Sequence, residues 1–470
     1  MNNLLSLLGA LALIGSIVST AHLLLRYRDP TAAVGWLFAV WALPLLGAGM
    51  YLAFAVYTGP RRVRVRRKLS RRLRRVERHA AGSLPNLIDA EITLQNEIAR
   101  RSGALPMTLG NDIVLHENGA AARADVMTHL RAAQTEILLE SYIWRDDELT
   151  QEIVEILAER RRAGVEVRVL VDAIGSHRLF GDRLGRLREN GITCSEFLAP
   201  NPFKGRFQFN SRNHRKLLVV DRAVAFLGGR NYTSEYFDDG PNGIHDLSVR
   251  VAGPAVGPLT GLFLEDWLVA TGGCVENRAE VSAPEMVGPT AVRVIPHGCD
   301  EARDAFVPIL SSAIRRARKE ITIVTPYFVP SPNIRHDLRM AALAGVHVRI
   351  LVPERTPERW PELGAPHFYQ ELFDAGVEIW KRPPPFLHAK AVIVDGARTF
   401  VGSANFDARS FLLNYELTIE VPGEDFARAV VASFEPEFAL SSRIDPEAFA
   451  RRPWWRRAIE NAVALFSPVL

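Results

Sequence analysis

The sequence predicts an α/β protein: two duplicated α/β lobes with pseudo-two-fold symmetry, preceded by an N-terminal transmembrane helical hairpin. Three observations carry this. Two long uncharged runs open the 470-residue chain. Past residue 100, strand-like and helix-like segments alternate twice in the same order. Each copy ends in the same spaced set of His, Lys, Asp, Gly and Asn. With 48 % hydrophobic and 23 % charged residues, the composition is globular and excludes a disordered or fibrous chain. The expected segments are 1–59 for the hairpin, 60–100 for a basic juxtamembrane linker, 101–280 and 281–450 for the lobes, and 451–470 for a C-terminal interfacial segment.

The first run, Leu4 to Leu25, holds 22 residues without a charge. At about 1.5 Å per residue it reaches roughly 33 Å, enough to cross the hydrocarbon layer. Ala32 to Tyr57 is a second run of 26 residues, interrupted by Pro44, Gly47 and Gly49, which permit a kink or a re-entrant path. Arg26-Tyr27-Arg28-Asp29-Pro30 joins them. No Lys or Arg precedes Leu4, so the first run reads as an anchor rather than a cleaved signal. Between Arg61 and Arg78 stand 11 basic residues and one acid, Glu77. This block implies an inner-membrane, multi-pass protein with its lobes on the cytoplasmic side, and attracts anionic lipid. The remaining chain has 46 basic against 52 acidic residues, which disfavours a nucleic-acid partner. Three cysteines (Cys194, Cys274, Cys299) are too few for a disulfide framework or a tetrahedral zinc site.

The repeat is explicit. Glu136–Tyr142, helical Leu149–Arg162, the strand after Gly164 and the strand after Gly191 return as Ile321–Tyr327, the strand after Gly345 and the strand after Gly376. The copies end in NHRKLLVVDRAVAFLGGRN and LHAKAVIVDGARTFVGSAN. In both, Lys stands 2, Asp 7, Gly 14 and Asn 17 residues after His. These are His214, Lys216, Asp221, Gly228 and Asn231, then His388, Lys390, Asp395, Gly402 and Asn405, with Ser403 beside the second glycine. Two of the chain's six lysines sit at these points.

On a strand, His and Lys two apart share a face, and the apolar residues between Lys and Asp read as a buried strand. The small Gly-Gly or Gly-Ser turn brings Asn back beside them. One imidazole, one ammonium and one amide per lobe suit a phosphate diester: Lys and Asn hold the non-bridging oxygens, and the imidazole is nucleophile or proton carrier. Two facing lobes divide these jobs. One histidine attacks phosphorus and forms a phosphohistidine. The other protonates the leaving alkoxide, then takes a proton from the next alcohol. The scheme calls for no metal and no cofactor. A nucleophilic imidazole needs its other nitrogen held. Glu416, 28 residues after His388, is the candidate, and Asp246 occupies the matching strand start of the first lobe.

The twin H-x-K-x4-D motifs resemble the phospholipase D superfamily, and the surrounding sequence resembles its bacterial cardiolipin synthases. The segments that carry this are YIWRDDE (142–148), RNHRKLLVVD (212–221), GGRNYTSEYF (228–237), TPYFVPS (325–331), LHAKAVIVD (387–395), GSANFDARSFLLNYE (402–416) and the ending FSPVL (466–470). The resemblance implies two phospholipase D-like lobes that transfer a phosphatidyl group from one phosphatidylglycerol to another, releasing glycerol and forming cardiolipin. It places His214, Lys216, Asp221, His388, Lys390 and Asp395 in the catalytic motifs, with both aspartates supporting the fold. Asn231, Ser403 and Asn405 are implied phosphate binders, and Glu416 and Asp246 orient the histidines. By the same analogy His214 is the nucleophile and His388 the acid/base. Three departures stand out: Thr150 where a glycine is usual, Pro353–Pro357 without the usual aspartate, and Gly229 where the second copy has Ser403.

A water acceptor would make the protein a hydrolase, a polynucleotide substrate a membrane-tethered nuclease, and loss of chemistry a scaffold. The intact motifs argue against the last. Two segments read as approaches to the lipid surface: 201–209, where aromatic and basic residues alternate, and Arg451-Arg452-Pro453-Trp454-Trp455-Arg456-Arg457.

Overall fold

A lone apolar helix cannot hide its side chains, and the N-terminal unit shows how this chain leaves them. The computed structural model describes residues 2–26, 30–51, 90–176, 184–198, 211–272, 285–298 and 305–465. The basic block 61–78, the stretch 201–209 and the ending 466–470 lie outside the described residues. Helix Asn2–Arg26 contains the run Ser6–Leu25, 20 residues of mean hydropathy 2.0, long and apolar enough to cross a bilayer. Leu7, Leu11, Ile14, Ile17 and Val18 are exposed along it.

The second run is interrupted where its proline and glycines permit a kink or a re-entrant path. It forms helix Pro30–Ala42, breaks at Leu43 and continues as helix Pro44–Met50. Pro44 has no N–H to continue the first ladder. The short helix folds back: Tyr51 packs on Trp36 with ring centroids 5.6 Å apart, and a Cβ on Gly47 would stand 2.0 Å from the Ala39 carbonyl oxygen. Both pieces lie along the first helix. Ser16 Oγ donates to the Val40 carbonyl at 2.9 Å, and His22 Nδ1 is 2.6 Å from the Tyr51 hydroxyl. Among the described residues one helix is long enough to cross; the second segment reaches halfway along it and returns.

The second unit is built on one sheet. Its first-lobe strands are β1 (Thr108–His116), β2 (Glu136–Ser141), β3 (Glu166–Asp172), β4 (Thr193–Phe197), β5 (Leu217–Val220), β6 (Val224–Gly228) and β7 (Ser248–Ala252). The second lobe supplies β8 (Thr290–His297), β9 (Glu320–Val324), β10 (Phe328–Val329), β11 (His347–Pro353), β12 (Glu378–Arg382), β13 (Ala391–Val394), β14 (Arg398–Gly402), β15 (Phe406–Asp407), β16 (Glu416–Pro422) and β17 (Ser442–Arg443). The large sheet runs β17-β12-β11-β9-β13-β14-β16-β8-β1-β7-β6-β5-β2-β3-β4. Read outward from the antiparallel β8–β1 seam, the two halves repeat each other strand for strand, with β17 added at the edge of the second. In each, three parallel strands joined through helices are followed by antiparallel hairpins.

Helices Gly119–Ala132, Glu148–Arg162, Phe306–Arg316 and Pro332–Leu343 cover one face of the sheet. Helices Val256–Thr271 and Glu424–Leu440 cover the other. One inner cluster joins Leu217 and Val249 to Val294 and Ile419, so the lobes share a core. The unusual Thr150 has a local explanation: it closes a capping box with Asp147 at the start of helix Glu148–Arg162, each taking a 3.0 Å bond from the other's backbone N–H.

The motif aspartates, expected to support the fold, stand at turns away from the histidines and lysines. A buried four-residue strand, β5 or β13, separates each from its lysine, about 15 Å of extended chain. Both adopt the left-handed conformation (φ +53°), which aspartate tolerates better than most residues. Asp221 accepts from the N–H groups of Gln134, Thr135 and Glu136 at 2.7–2.9 Å; Asp395 accepts from those of Arg318, Lys319 and Glu320 at 2.7–3.1 Å. Each pins the turn that enters the first of its lobe's three parallel strands, β2 or β9.

Asp221→Ala or Asp395→Ala is expected to cost about 1–3 kcal/mol of stability. Thermal unfolding should shift down by several degrees while activity per folded molecule persists at low temperature. Lost turnover at unchanged melting temperature would contradict this.

Candidate active site

Each motif is stitched to the opposite lobe before its side chains meet anything. The His214 N–H donates to the Tyr415 carbonyl at 2.9 Å, and the Tyr415 N–H to the Arg212 carbonyl at 2.8 Å. Reciprocally, the His388 N–H donates to the His245 carbonyl at 2.7 Å, and the His245 N–H to the Phe386 carbonyl at 2.9 Å. Tyr415 immediately precedes Glu416, and His245 immediately precedes Asp246. Backbone pairing therefore delivers each lobe's carboxylate to the other lobe's histidine. His214 Nδ1 lies 3.0 Å from both Glu416 oxygens, and His388 Nδ1 lies 2.6 Å from Asp246 Oδ2. Along the chain each carboxylate follows its own lobe's histidine, so this exchange was hidden in the spacing.

The contacts fix the imidazole tautomer by inference: Nδ1–H faces the carboxylate and the Nε2 lone pair is left for chemistry. Burial pushes the His214 imidazole down to about 4; Glu416 opposes this and Lys216 reinforces it. Burial likewise pushes His388 to about 3, helped by Lys390 and opposed by Asp246. Burial works to raise Glu416, but His214 and Lys216 overcome it and hold the carboxyl at about 2. Asp246 is also lowered, burial being outweighed by Lys390 and His388. Two neutral imidazoles thus face two ionised carboxylates.

The lysines complete the cluster. Lys216 Nζ donates to the His214 carbonyl at 2.7 Å and stands 5.4 Å from the Tyr142 ring centre. Lys390 Nζ is 2.9 Å from His388 Nε2 and 3.9 Å from Asp246 Oδ2. Burial lowers Lys216 to about 7 and Lys390 to about 8. Lys390 acts on His214 and Lys216 on His388, so the two halves form one electrostatic unit. Asn231 Oδ1 accepts from the Ile143 N–H at 3.2 Å, whereas the buried Asn405 Oδ1 has no partner among the described residues.

Ser403, expected at phosphate, donates instead to Glu416 Oε2 at 2.5 Å. In the first lobe Gly229 takes its place, because a Cβ there would stand 2.2 Å from Asp246 Oδ1. The longer carboxylate thus comes with serine and the shorter with glycine. Sequence reasoning missed several neighbours. Tyr142 packs edge-on against His214 (4.8 Å) and Tyr236 against His388 (5.2 Å). Arg215, the buried middle residue of the first motif, donates to the Glu416 carbonyl at 3.0 Å and pairs with Asp266. The second motif has Ala389 there, and only this departure from the repeat could have marked Arg215.

Comparisons with known proteins give the family. The family described as cardiolipin synthase, PLD-like domain, matches residues 126–267 and 310–437, and the phospholipase D-nuclease N-terminal family matches 14–55. A cardiolipin synthase of Geobacillus kaustophilus is 33 % identical over 458 residues, 95 % of this chain and 90 % of that one. Cardiolipin synthase A of Pseudomonas aeruginosa is 33 % identical over 452 residues, 92 % and 89 % of the two chains. The crystal structure of phosphatidylserine synthase from Haemophilus influenzae shares the fold, with a TM-score of 0.62 and 15 % identity over 80 % of this chain and all of that one.

Glu416→Gln should change the modification of His214 by diethyl pyrocarbonate, and Asp246→Asn that of His388, each by mass spectrometry; the reverse pairing would contradict the crossed contacts. Each variant should lose about 10²-fold or more in kcat. As pH rises through about 7 and then 8, Lys216 and Lys390 lose the protons that offset a phosphate charge. The pH profile of kcat/KM should therefore fall on that alkaline limb. The limb in kcat should lie higher, since bound phosphate favours the ammonium form. A kcat/KM profile flat to pH 9 would contradict the assignment.

Proposed function

The chain belongs to the phospholipase D-like cardiolipin synthase family, and from that premise we propose how its paired motifs divide the work. It is a membrane-associated phosphatidyltransferase acting on phospholipids. A phosphatidyl group passes from one phosphatidylglycerol to the hydroxyl of a second, giving cardiolipin and glycerol.

His214 is the nucleophile. Its Nδ1 faces two carboxylate oxygens, whereas the His388 ring has Lys390 Nζ 2.6 Å from Nδ1 and 2.9 Å from Nε2, a positive charge that makes this imidazole the weaker nucleophile. His214 Nε2 bonds to phosphorus as the phosphorus–glycerol oxygen bond breaks. His388, as imidazolium, gives its proton to the leaving oxygen. The negative charge of the bound diester and Asp246 together favour that imidazolium. In the second half His388 takes a proton from the incoming hydroxyl, whose oxygen attacks phosphorus, and the phosphorus–nitrogen bond breaks. Lys216, Lys390, Asn231 and Asn405 offset charge on the non-bridging oxygens. Ser403 acts by holding Glu416. The observation that carries this reading is the reciprocal carboxylate–imidazole exchange, which makes each histidine depend on both lobes.

The lobes lie on the cytoplasmic side, beside the basic block 61–78. Helix Asn2–Arg26 is the crossing element and the second apolar segment enters and returns. That path is the re-entrant alternative to a two-span hairpin and puts Arg26 on the same side as the block, as the charge rule favours.

With labelled phosphatidylglycerol, wild type should release glycerol and form cardiolipin; phosphatidic acid alone would indicate hydrolysis. His214→Ala and His388→Ala should each lose about 10³-fold or more of product while remaining folded. Robust turnover by both would refute the two-histidine scheme. A membrane-impermeant thiol reagent should reach a cysteine at position 28 only from the cytoplasmic side; labelling from outside would restore the two-span hairpin.

A further inference from the structure

We propose that the second lobe carries a docking face for the bilayer surface at the rim of the active site, formed by helices Arg359–Gly364 and Trp454–Ala464. The proposal rests on the reading of the substrate as a membrane phospholipid. Helix Trp454–Ala464 turns its large apolar side chains outward. Trp454 is 79 % exposed, Trp455 54 % and Leu465 80 %, while Glu460, Val463 and Ala464 are buried. Its inner side rests against the turn Ala365–Phe368, where His367 Nδ1 meets Asn461 Oδ1 at 2.7 Å. Helix Arg359–Gly364 adds Trp360, 61 % exposed, and the exposed Leu363. The two helices, from segments some ninety residues apart, pack on one another, and each leaves tryptophan exposed.

Charge selects the occupant. Arg451, Arg456, Arg457, Arg355 and Arg359 are exposed around the tryptophans. Arg452 and Arg456 converge on Glu460 at 2.8 and 3.3 Å. Glu354, Glu358 and Glu362 temper the charge beside the shorter helix, but residues 451–465 hold four arginines against one acid. Tryptophan with arginine at an apolar face fits the headgroup region of an anionic bilayer.

The face adjoins the chemistry. Glu358, at the head of the shorter helix, accepts a bond from the Tyr327 hydroxyl, and its charge acts on Lys390. The Tyr327 ring lies 6.4 Å from Phe386, and Phe386 5.6 Å from His388. A bilayer seated on the tryptophans therefore presents its headgroups near the second histidine.

The test uses the full chain in phosphatidylcholine nanodiscs, with phosphatidylglycerol supplied either in the disc or as soluble dihexanoyl phosphatidylglycerol. The double variant Trp454→Glu/Trp455→Glu should lose about ten-fold in kcat/KM on the disc-bound lipid and less than about two-fold on the soluble one. Equal losses, or none, overturn the proposal. A changed oligomeric mass in detergent with an unchanged ratio between substrates assigns the face to a second copy of the chain and also overturns it. Quenching of tryptophan fluorescence by acyl-brominated lipid should weaken in Trp454→Phe/Trp455→Phe. Unchanged quenching rejects the face even where no lipid product forms. Wild type inactive on both substrates would instead refute the functional reading.

Discussion

Everything at the centre of this molecule depends on the exchange of carboxylates between lobes. An imidazole buried without a partner would be neutral and free to rotate. Here the backbone pairs Asn213 with Tyr415 and His245 with Leu387, and the next residue on each strand is the required acid. Because hydrogen bonds between main chains set the position, the orientation of His214 and His388 is as rigid as the sheet itself. Neither lobe alone presents a supported histidine, so duplication is a condition of the chemistry and not an ornament of ancestry.

Burial then tunes the pieces. The same low-dielectric surroundings that keep both imidazoles neutral weaken the lysines' hold on their protons. In the proposed scheme, the negative charge of a phosphate diester between Lys216 and Lys390 would restore the balance, favouring ammonium groups and an imidazolium at once. The Asn405 side-chain oxygen, without a partner among the described residues, belongs to this polar environment. The design also tolerates asymmetry. Glu416 with Ser403 and Asp246 with Gly229 reach the same end by different lengths, and Arg215 braces only one side.

Much of this was legible in the chain. The repeat gave the two lobes and their strand order, since apolar runs and glycine punctuation recur at matched positions. The histidines, lysines and asparagines stood out because their spacing is duplicated. What escaped was what pattern cannot encode. The crossed pairing is a contact between lobes, and no local periodicity reports it. A structural role for Asp221 and Asp395 was expected, but their partners, the backbone N–H groups of 134–136 and 318–320, lie some eighty residues away in sequence and no spacing reports them. Ser403 was placed at phosphate by its neighbours in sequence, but its hydroxyl is captured by Glu416. Pro44 and Gly47 marked the second apolar run as kinked or re-entrant, but which of the two it is depends on the close approach of Gly47 to Ala39, a contact that hydropathy does not report.

The most direct measurement is a structure of the protein with orthovanadate and glycerol bound. The account predicts one vanadium bonded to His214 Nε2, with an apical oxygen opposite it within hydrogen-bonding distance of His388 Nε2. Vanadate held by one lobe, with the other histidine out of reach, would contradict it.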